Sequence, residues 1–346
     1  MTSRGLYDEP PKAPTVRDVA AAAGVSVATV SRVLNGIGRT DPARRQRVLR
    51  AIEALGYRRD GVARNLRRRS TMVWGLVISD IENPFFTSLV RGVQDSADGE
   101  GYSVVLLNSD EDLLKEGRCL DVLAEERVAG VILSPVSEHE SDLEVLAASR
   151  TPTVLVDRRV TGVSMDMVCV DNRKGAREGT AHLLARGYRR VACISGPPRS
   201  TTGASRLEGY LAALRDAGRE VDMSLVLTTD FKRRGGYDAA LQLLDRRPPP
   251  DAMIVMNNLM TEGALAAIRE RGLRIPDDVG LVGFDDLSWA SLVQPRLTSI
   301  AQPVRELGLA AAKLLARRCR GDDEGFPATI TLDPELRVRE SSGRHP

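Results

Sequence analysis

Residues Thr15 to Asn35, TVRDVAAAAGVSVATVSRVLN, read as two short amphipathic helices joined by a Gly-Val-Ser turn, an arrangement that can present one helix to a DNA major groove. Thr15 is placed to cap the first helix, whose apolar Val16, Val19, Ala20 and Ala23 fall at i, i+3, i+4 and i+7. Gly24 ends it. Ser26 caps the second, in which Val30, Val33 and Leu34 share one side while Ala28, Arg32 and Asn35 face the other. The outward residue types suit base reading: Arg can fork onto guanine, Asn can pair with adenine or phosphate, and small methyls can touch thymine. A third helix is expected with Asp41 as N-cap, Pro42 at its first position, Val48, Ile52 and Leu55 inward and Gly56 as its stop. On pattern alone, a generic three-helix bundle with a polar surface is the lesser alternative.

Charge separates the two readings. The chain carries a net charge of +2, yet residues 1–70 hold 15 Lys and Arg against six Asp and Glu, so a basic N-terminal module precedes an acidic body. Positive charge on and beside a patterned helical unit is the footprint of a phosphate-binding surface. The segment from Asp60 to Ser70, DGVARNLRRRS, follows it. Its Val62, Ala63 and Leu66 could line one face of a helix too short to stand alone in water. It reads either as a segment that orders on DNA with Leu66 wedged in the minor groove or as a solvated linker.

A chain of 346 residues with 42% hydrophobic content can bury a sizeable core and exceeds one ordinary domain. Apolar runs at 73–79, 103–109, 130–134, 153–157, 168–171, 191–196, 225–230, 252–257 and 280–285 alternate with helical stretches. Runs that are apolar throughout predict strands buried on both faces of a parallel sheet. Nine such strands predict two doubly wound units, dividing near Asp171–Asn172. Several end in Ser, Asp or Asn at the carboxyl edge, where open α/β sheets bind ligands.

Several function classes fit poorly. There is no run of 18 apolar residues, and the polar, Pro-rich start lacks a secretory leader, so no membrane partner and a cytoplasmic location are expected. Cys119, Cys169, Cys193 and Cys319 form no CxxC pair and read as buried free thiols, with no metal expected. None of the five lysines follows a glycine as in a P-loop, and no GxGxxG follows a strand. His139, His182 and His345 lie by no nucleophile elbow, and surface placement is the default for His182 and His345. Neither a catalytic residue nor a cofactor is expected.

Over nearly its whole length the chain resembles the LacI/GalR family of bacterial transcription regulators. The likeness rests on VRDVAAAAGVSVATVSRVLN, the link VARNL, NPFF (83–86), SGPPRSTTGASRLEGY (195–210), GLRIPDDVGLVGFDD (272–286) and PRLTSIAQP (295–303), in order and spacing. It implies an all-α helix-turn-helix headpiece plus an α/β body of two Rossmann-like subdomains similar to a periplasmic binding protein. The expected division is a disordered tail at 1–13, a DNA-binding domain at 14–59 and a hinge helix and linker at 60–71. One effector-binding subdomain then takes 72–171 with 302–331, the other 172–301 with 332–346. The implied partners are a pseudo-palindromic double-stranded operator, a small-molecule effector and a second copy of the chain, with a tetramer also open. Val27, Ala28 and Arg32 stand where the family reads operator bases, with Thr15, Ser26, Thr29, Ser31 and Asn35 around them. Leu66 and Arg67 stand at its minor-groove positions. Phe86, Asp157, Ser200, Thr202, Arg206, Phe231, Asn257 and Asp285 resemble the liners of its effector cleft. Carboxylates and amides pair with hydroxyls, Arg forks onto vicinal oxygens and aromatics cover ring faces, so a sugar is the expected ligand. A nucleoside or other non-sugar corepressor is the alternative, and a sugar-binding protein or enzyme without a DNA role the remaining one. Ser200 replaces the Arg of a purine-responsive relative, and Asn258 replaces a common Asp as an alternative helix cap.

Overall fold

A computed structural model describes residues 14–35, 40–57 and 71–343, with the side chain of Asn35 outside the description. The tail at 1–13, Leu66, Arg67 and most of the expected hinge segment lie outside the described residues. The chain forms two compact units, the first reaching Arg69 and the second starting at Ser70.

The first unit contains α1 (Val16–Ala23), α2 (Val27–Asn35) and α3 (Pro42–Leu55). Thr15 and Asp18 form a reciprocal capping box, and Gly24 closes α1 at φ 61°, a left-handed conformation that suits glycine. The Thr29 N–H donates to Ser26 Oγ at 3.2 Å, so Ser26 caps α2 as its residue type predicts. Asp41 caps α3 and Pro42 opens it. Val19, Val30 and Val48 are fully buried between the helices, with Ile52, Leu55 and Tyr57 closing the sides.

The second unit alternates strands and helices. In chain order these are β1 (Val73–Ile78), α4 (Pro84–Glu100), β2 (Ser103–Asn108), α5 (Leu113–Glu125), β3 (Gly130–Leu133), α6 (Glu144–Ser149), β4 (Thr153–Val156) and β5 (Asp166–Val170). Then follow α7 (Asn172–Ala185), β6 (Val191–Ser195), α8 (Thr201–Asp216), β7 (Val226–Thr228), α9 (Arg233–Leu244), β8 (Ala252–Val255), α10 (Asn258–Glu270), β9 (Gly280–Phe284) and β10 (Thr298–Ala301). Helix α11 (Val304–Cys319), β11 (Thr329–Leu332) and β12 (Glu335–Arg337) complete it. Two six-stranded sheets result, ordered β11-β5-β4-β3-β1-β2 and β12-β10-β9-β8-β6-β7. Every pairing is parallel except β10 with β12.

The chain therefore passes between the two lobes three times, after β5, between β10 and α11, and between β11 and β12. Two of these connections are tied together: the Asp171 N–H donates to the Leu332 carbonyl at 3.0 Å, and Lys174 Nζ pairs with Asp333 at 2.7 Å. All nine expected strands form, and β10, β11 and β12 add to them. One expectation fails at β2. Its run SVVLLN is apolar, but it lies at a sheet edge with Val105 and Leu106 exposed, because an edge strand has a covering neighbour on one side only. Among the cysteines only Cys193 is buried; the other three are half-buried. His182 is likewise half-buried, its Nε2 bonded at 2.8 Å to Ser342 Oγ in the 3-10 turn Glu340–Ser342.

Candidate functional sites

On the headpiece, Val30 is wholly buried and Val33 and Leu34 pack against the core, which turns Val27, Ala28 and Arg32 outward on α2. Ser31 is half-buried, as is Thr29, whose Oγ1 bonds Ser26 Oγ at 3.0 Å. Thr15 Oγ1 donates to Asp18 at 2.7 Å, so its side chain first serves the helix end.

In the body, a cleft of about 360 Å³, counting its open mouth, lies at the carboxyl edges of both sheets. Phe86, Asp157, Thr202, Arg206, Phe231, Asn257 and Asp285 all line it. Ser200 does not: it is buried behind the wall, its Oγ bonded to Thr202 Oγ1 at 2.7 Å. Phe86 projects from the first turn of α4, which Asn83 caps by accepting the Phe85 N–H. Phe231 follows β7 at φ 63°, and its ring lies where a Cβ on Gly196 would stand, so only glycine fits there. Asn257 caps α10 through the Met260 N–H at 2.9 Å. Asn258 is thus not the cap; its Nδ2 crosses to Asn83 Oδ1 at 2.7 Å and joins the lobes.

Arg206 comes from α8 and is almost fully buried. Its Nε donates to Asn172 at 2.7 Å, its Nη1 to the Met256 carbonyl at 2.6 Å, and its guanidinium lies 3.7 Å from the Phe284 ring centroid. Burial lowers its pKa, while Asp285 and Asp157 pull the other way. Asp157 lies at the end of β4, and its Oδ1 is buried with no hydrogen-bond partner among the described residues. Burial pushes its pKa up to about 6 against the opposing pull of Arg158 and Arg206. Asp285, at the end of β9, is raised by burial too, although Arg206, Gln302 and the Asn258 N–H favour its charge.

Asp80, Asn83, Phe85, Glu111 and Arg158 also line the cleft and were not foreseen. Arg158 and Glu111 form a bidentate pair at 2.7 and 2.8 Å. Burial works to lower the Arg158 pKa, but Glu111 outweighs it and the pKa is raised. Across the mouth, Lys232 Nζ reaches Asp80 at 2.8 Å and Asp110 at 3.2 Å. Position was the available signal for Asp80 and Arg158, since both stand just beyond a strand's carboxyl end. Glu111 gave none: it is delivered by two consecutive left-handed residues, Asp110 and Glu111, at φ 53° and 57°. Among the described residues no group of His, Cys, Asp or Glu could hold a metal ion, and no helix is long and apolar enough to cross a membrane.

A family model described as bacterial regulatory proteins, lacI family, matches residues 15–60. One described as periplasmic binding proteins and sugar binding domain of LacI family matches residues 71–331. The ribose operon repressor of Escherichia coli (strain K12) is 37% identical over 305 residues, covering 88% of this chain and 92% of that protein. A transcriptional regulator CelR–cellobiose complex is 36% identical with a TM-score of 0.73, covering 95% of this chain and 99% of that one. The lac repressor dimer bound to operator and an anti-inducer is 28% identical with a TM-score of 0.86, covering 96% and 99%.

Proposed function

We propose, from the premise that this chain belongs to the LacI family of bacterial transcription regulators, that it represses transcription as a cytoplasmic homodimer on a pseudo-palindromic operator, under control of a sugar bound in the interlobe cleft. The chain is a DNA-binding transcription regulator with a sugar-binding type of effector domain, not an enzyme. The proposed division is a headpiece at 14–59, a hinge at 60–71, and two subdomains at 72–171 with 302–331 and at 172–301 with 332–346. Val27, Ala28 and Arg32 are the proposed base readers, with Thr15, Ser26, Thr29, Ser31 and Asn35 supporting them and Leu66 and Arg67 in the minor groove.

The observation that carries the effector reading is Asp157. A buried carboxylate oxygen without a partner is costly unless something donates to it, and a sugar hydroxyl is such a donor. Arg206, Asn257 and Asp285 line the same cleft with the mixed donors and acceptors that paired hydroxyls require, and Phe86 and Phe231 offer apolar faces. A ligand touching both lobes favours one arrangement of them, and roughly 1–3 kcal/mol of coupling is enough to change operator affinity visibly.

Thermal melting of the full chain against sugars, sugar phosphates and nucleosides tests this, because a ligand that binds only the folded state raises its stability. A sugar should raise the melting temperature and alter operator affinity, and Asp157→Ala should abolish both effects while ligand-free operator binding persists. A nucleoside as the sole hit, or an Asp157→Ala chain that responds as before, would overturn the reading.

A further inference from the structure

Two of the three cations at the cleft are already paired with carboxylates. Both terminal nitrogens of Arg158 are taken by Glu111 in a fork that is nearly inaccessible to solvent. Lys232 lies between Asp80 and Asp110. Arg206 makes no ion pair among the described residues, but Asp157 and Asp285 both act on it electrostatically. Set against that one guanidinium are two buried carboxylates, of which Asp157 has only a share in Arg158, its Oδ2 3.6 Å from the Nε, and Asp285 forms no ion pair among the described residues. Of the helix starts that reach the cleft, α4 and α10 are capped by Asn83 and Asn257, while α8 has no side-chain cap. A helix N-terminus carries about half an elementary charge, too little to offset the second carboxylate. The cleft is therefore net negative wherever a ligand would sit.

We propose that Glu111 is a specificity-determining residue: by filling the Arg158 fork it closes the cleft to anionic ligands and restricts the effector to uncharged polyhydroxy compounds. The inference rests on the sugar reading of the cleft. A phosphate or uronate entering it would meet Asp157 and Asp285 with the Arg158 fork already filled and Arg206 alone to receive it, and unmatched charge in a desolvated site discriminates strongly. Arg158 itself is held in place independently of Glu111, by the Pro135 carbonyl at 3.3 Å and the Phe231 ring 5.4 Å from its carbon. Removing the Glu111 charge leaves a positioned guanidinium whose terminal nitrogens face the cleft without a carboxylate, Asp157 remaining 3.6 Å from its Nε.

Calorimetric titration of the full chain with matched pairs tests this: neutral pentoses, hexoses and cellobiose against the corresponding sugar phosphates and uronic acids. The native chain should bind a neutral member at least about tenfold more tightly than its anionic counterpart, and Glu111→Gln should shrink or reverse that ratio. Inorganic phosphate supplies a second readout that needs no knowledge of the sugar, since it should raise the melting temperature of Glu111→Gln and leave the native chain unmoved. A native chain that prefers the anionic member, or a folded Glu111→Gln whose ratio and phosphate response match the native ones, overturns the proposal while leaving the sugar site standing. If no sugar of either kind binds, the sugar reading falls and this inference with it.

Discussion

Asp157 and Asp285 occupy equivalent places, each just beyond the third strand in its sheet's order. They also share a backbone: φ is 67° and 73°, and each N–H donates at 2.9 Å to the next strand, at Val168 and Ile300. Non-glycine residues held in the left-handed region carry strain that the surrounding pairing must override. The same geometry thus brings one carboxylate from each lobe to the cleft. Burial sets the Asp157 pKa at about 6, above its ordinary 3.8, so between those values the folded chain holds more protons than the unfolded one. By linkage, stability contributed by this group is fully present below pH 3.8 and is lost as pH rises to about 6, a difference on the order of 2–3 kcal/mol. Asp157→Asn should accordingly melt higher than the native chain at pH 7 and show a flatter dependence between pH 4 and 6. Melting curves at stepped pH check this, and parallel profiles for the two chains would show that Asp157 does not titrate there.

Helix α2 shows how much local chemistry can specify. Its periodicity, the Ser26 cap and the Gly24 turn are all short-range, and all are visible in the order of residues. With Val30 buried against α1 and α3, Arg32 has nowhere to point but outward. Arg32→Ala should cost about 1–3 kcal/mol of operator affinity and relax preference at one base position per half-site, without loss of folding. Equal weakening on operator and unrelated DNA in a titration would mean that Arg32 meets phosphate. Strands β1 to β9 were legible for a similar reason, being apolar runs bounded by turns. The remaining three were not. TSIA and TITL mix hydroxyls with apolar residues over four positions, and ELR is a three-residue antiparallel edge held in register by β10. Such strands are specified by the sheet they complete, not by their own pattern.

The body as a whole is two lobes joined by three connections and by side chains that cross between them. Seven cleft residues were legible because strand ends and family motifs mark them, whereas the Arg158–Glu111 and Lys232–Asp80 contacts link positions 47 and 152 residues apart. No local signal reports such pairs. Lys232 stands directly after Phe231 and ties β7's lobe to Asp80 and Asp110 in the other. Asp110 is held below the usual carboxylate range by the hydrogen bonds of Lys115 and Lys232. Lys232→Gln should loosen this arrangement, lowering effector affinity about threefold to tenfold and weakening its dependence on salt. Isothermal titration at low and high ionic strength decides; unchanged affinity at both would show that the crossing contact contributes nothing to closure.

The order in which the chain visits the lobes has a genetic consequence. The first sheet is not finished until β11, and α11, which packs against that sheet's core, precedes β11 by few residues. A stop codon after Ala301 would spare every residue from 71 to 170 and still deprive that lobe of an internal helix and an edge strand, while most of the second sheet would already be encoded. Nonsense lesions between Ala301 and Thr329 should therefore behave chiefly as defects of the lobe encoded first.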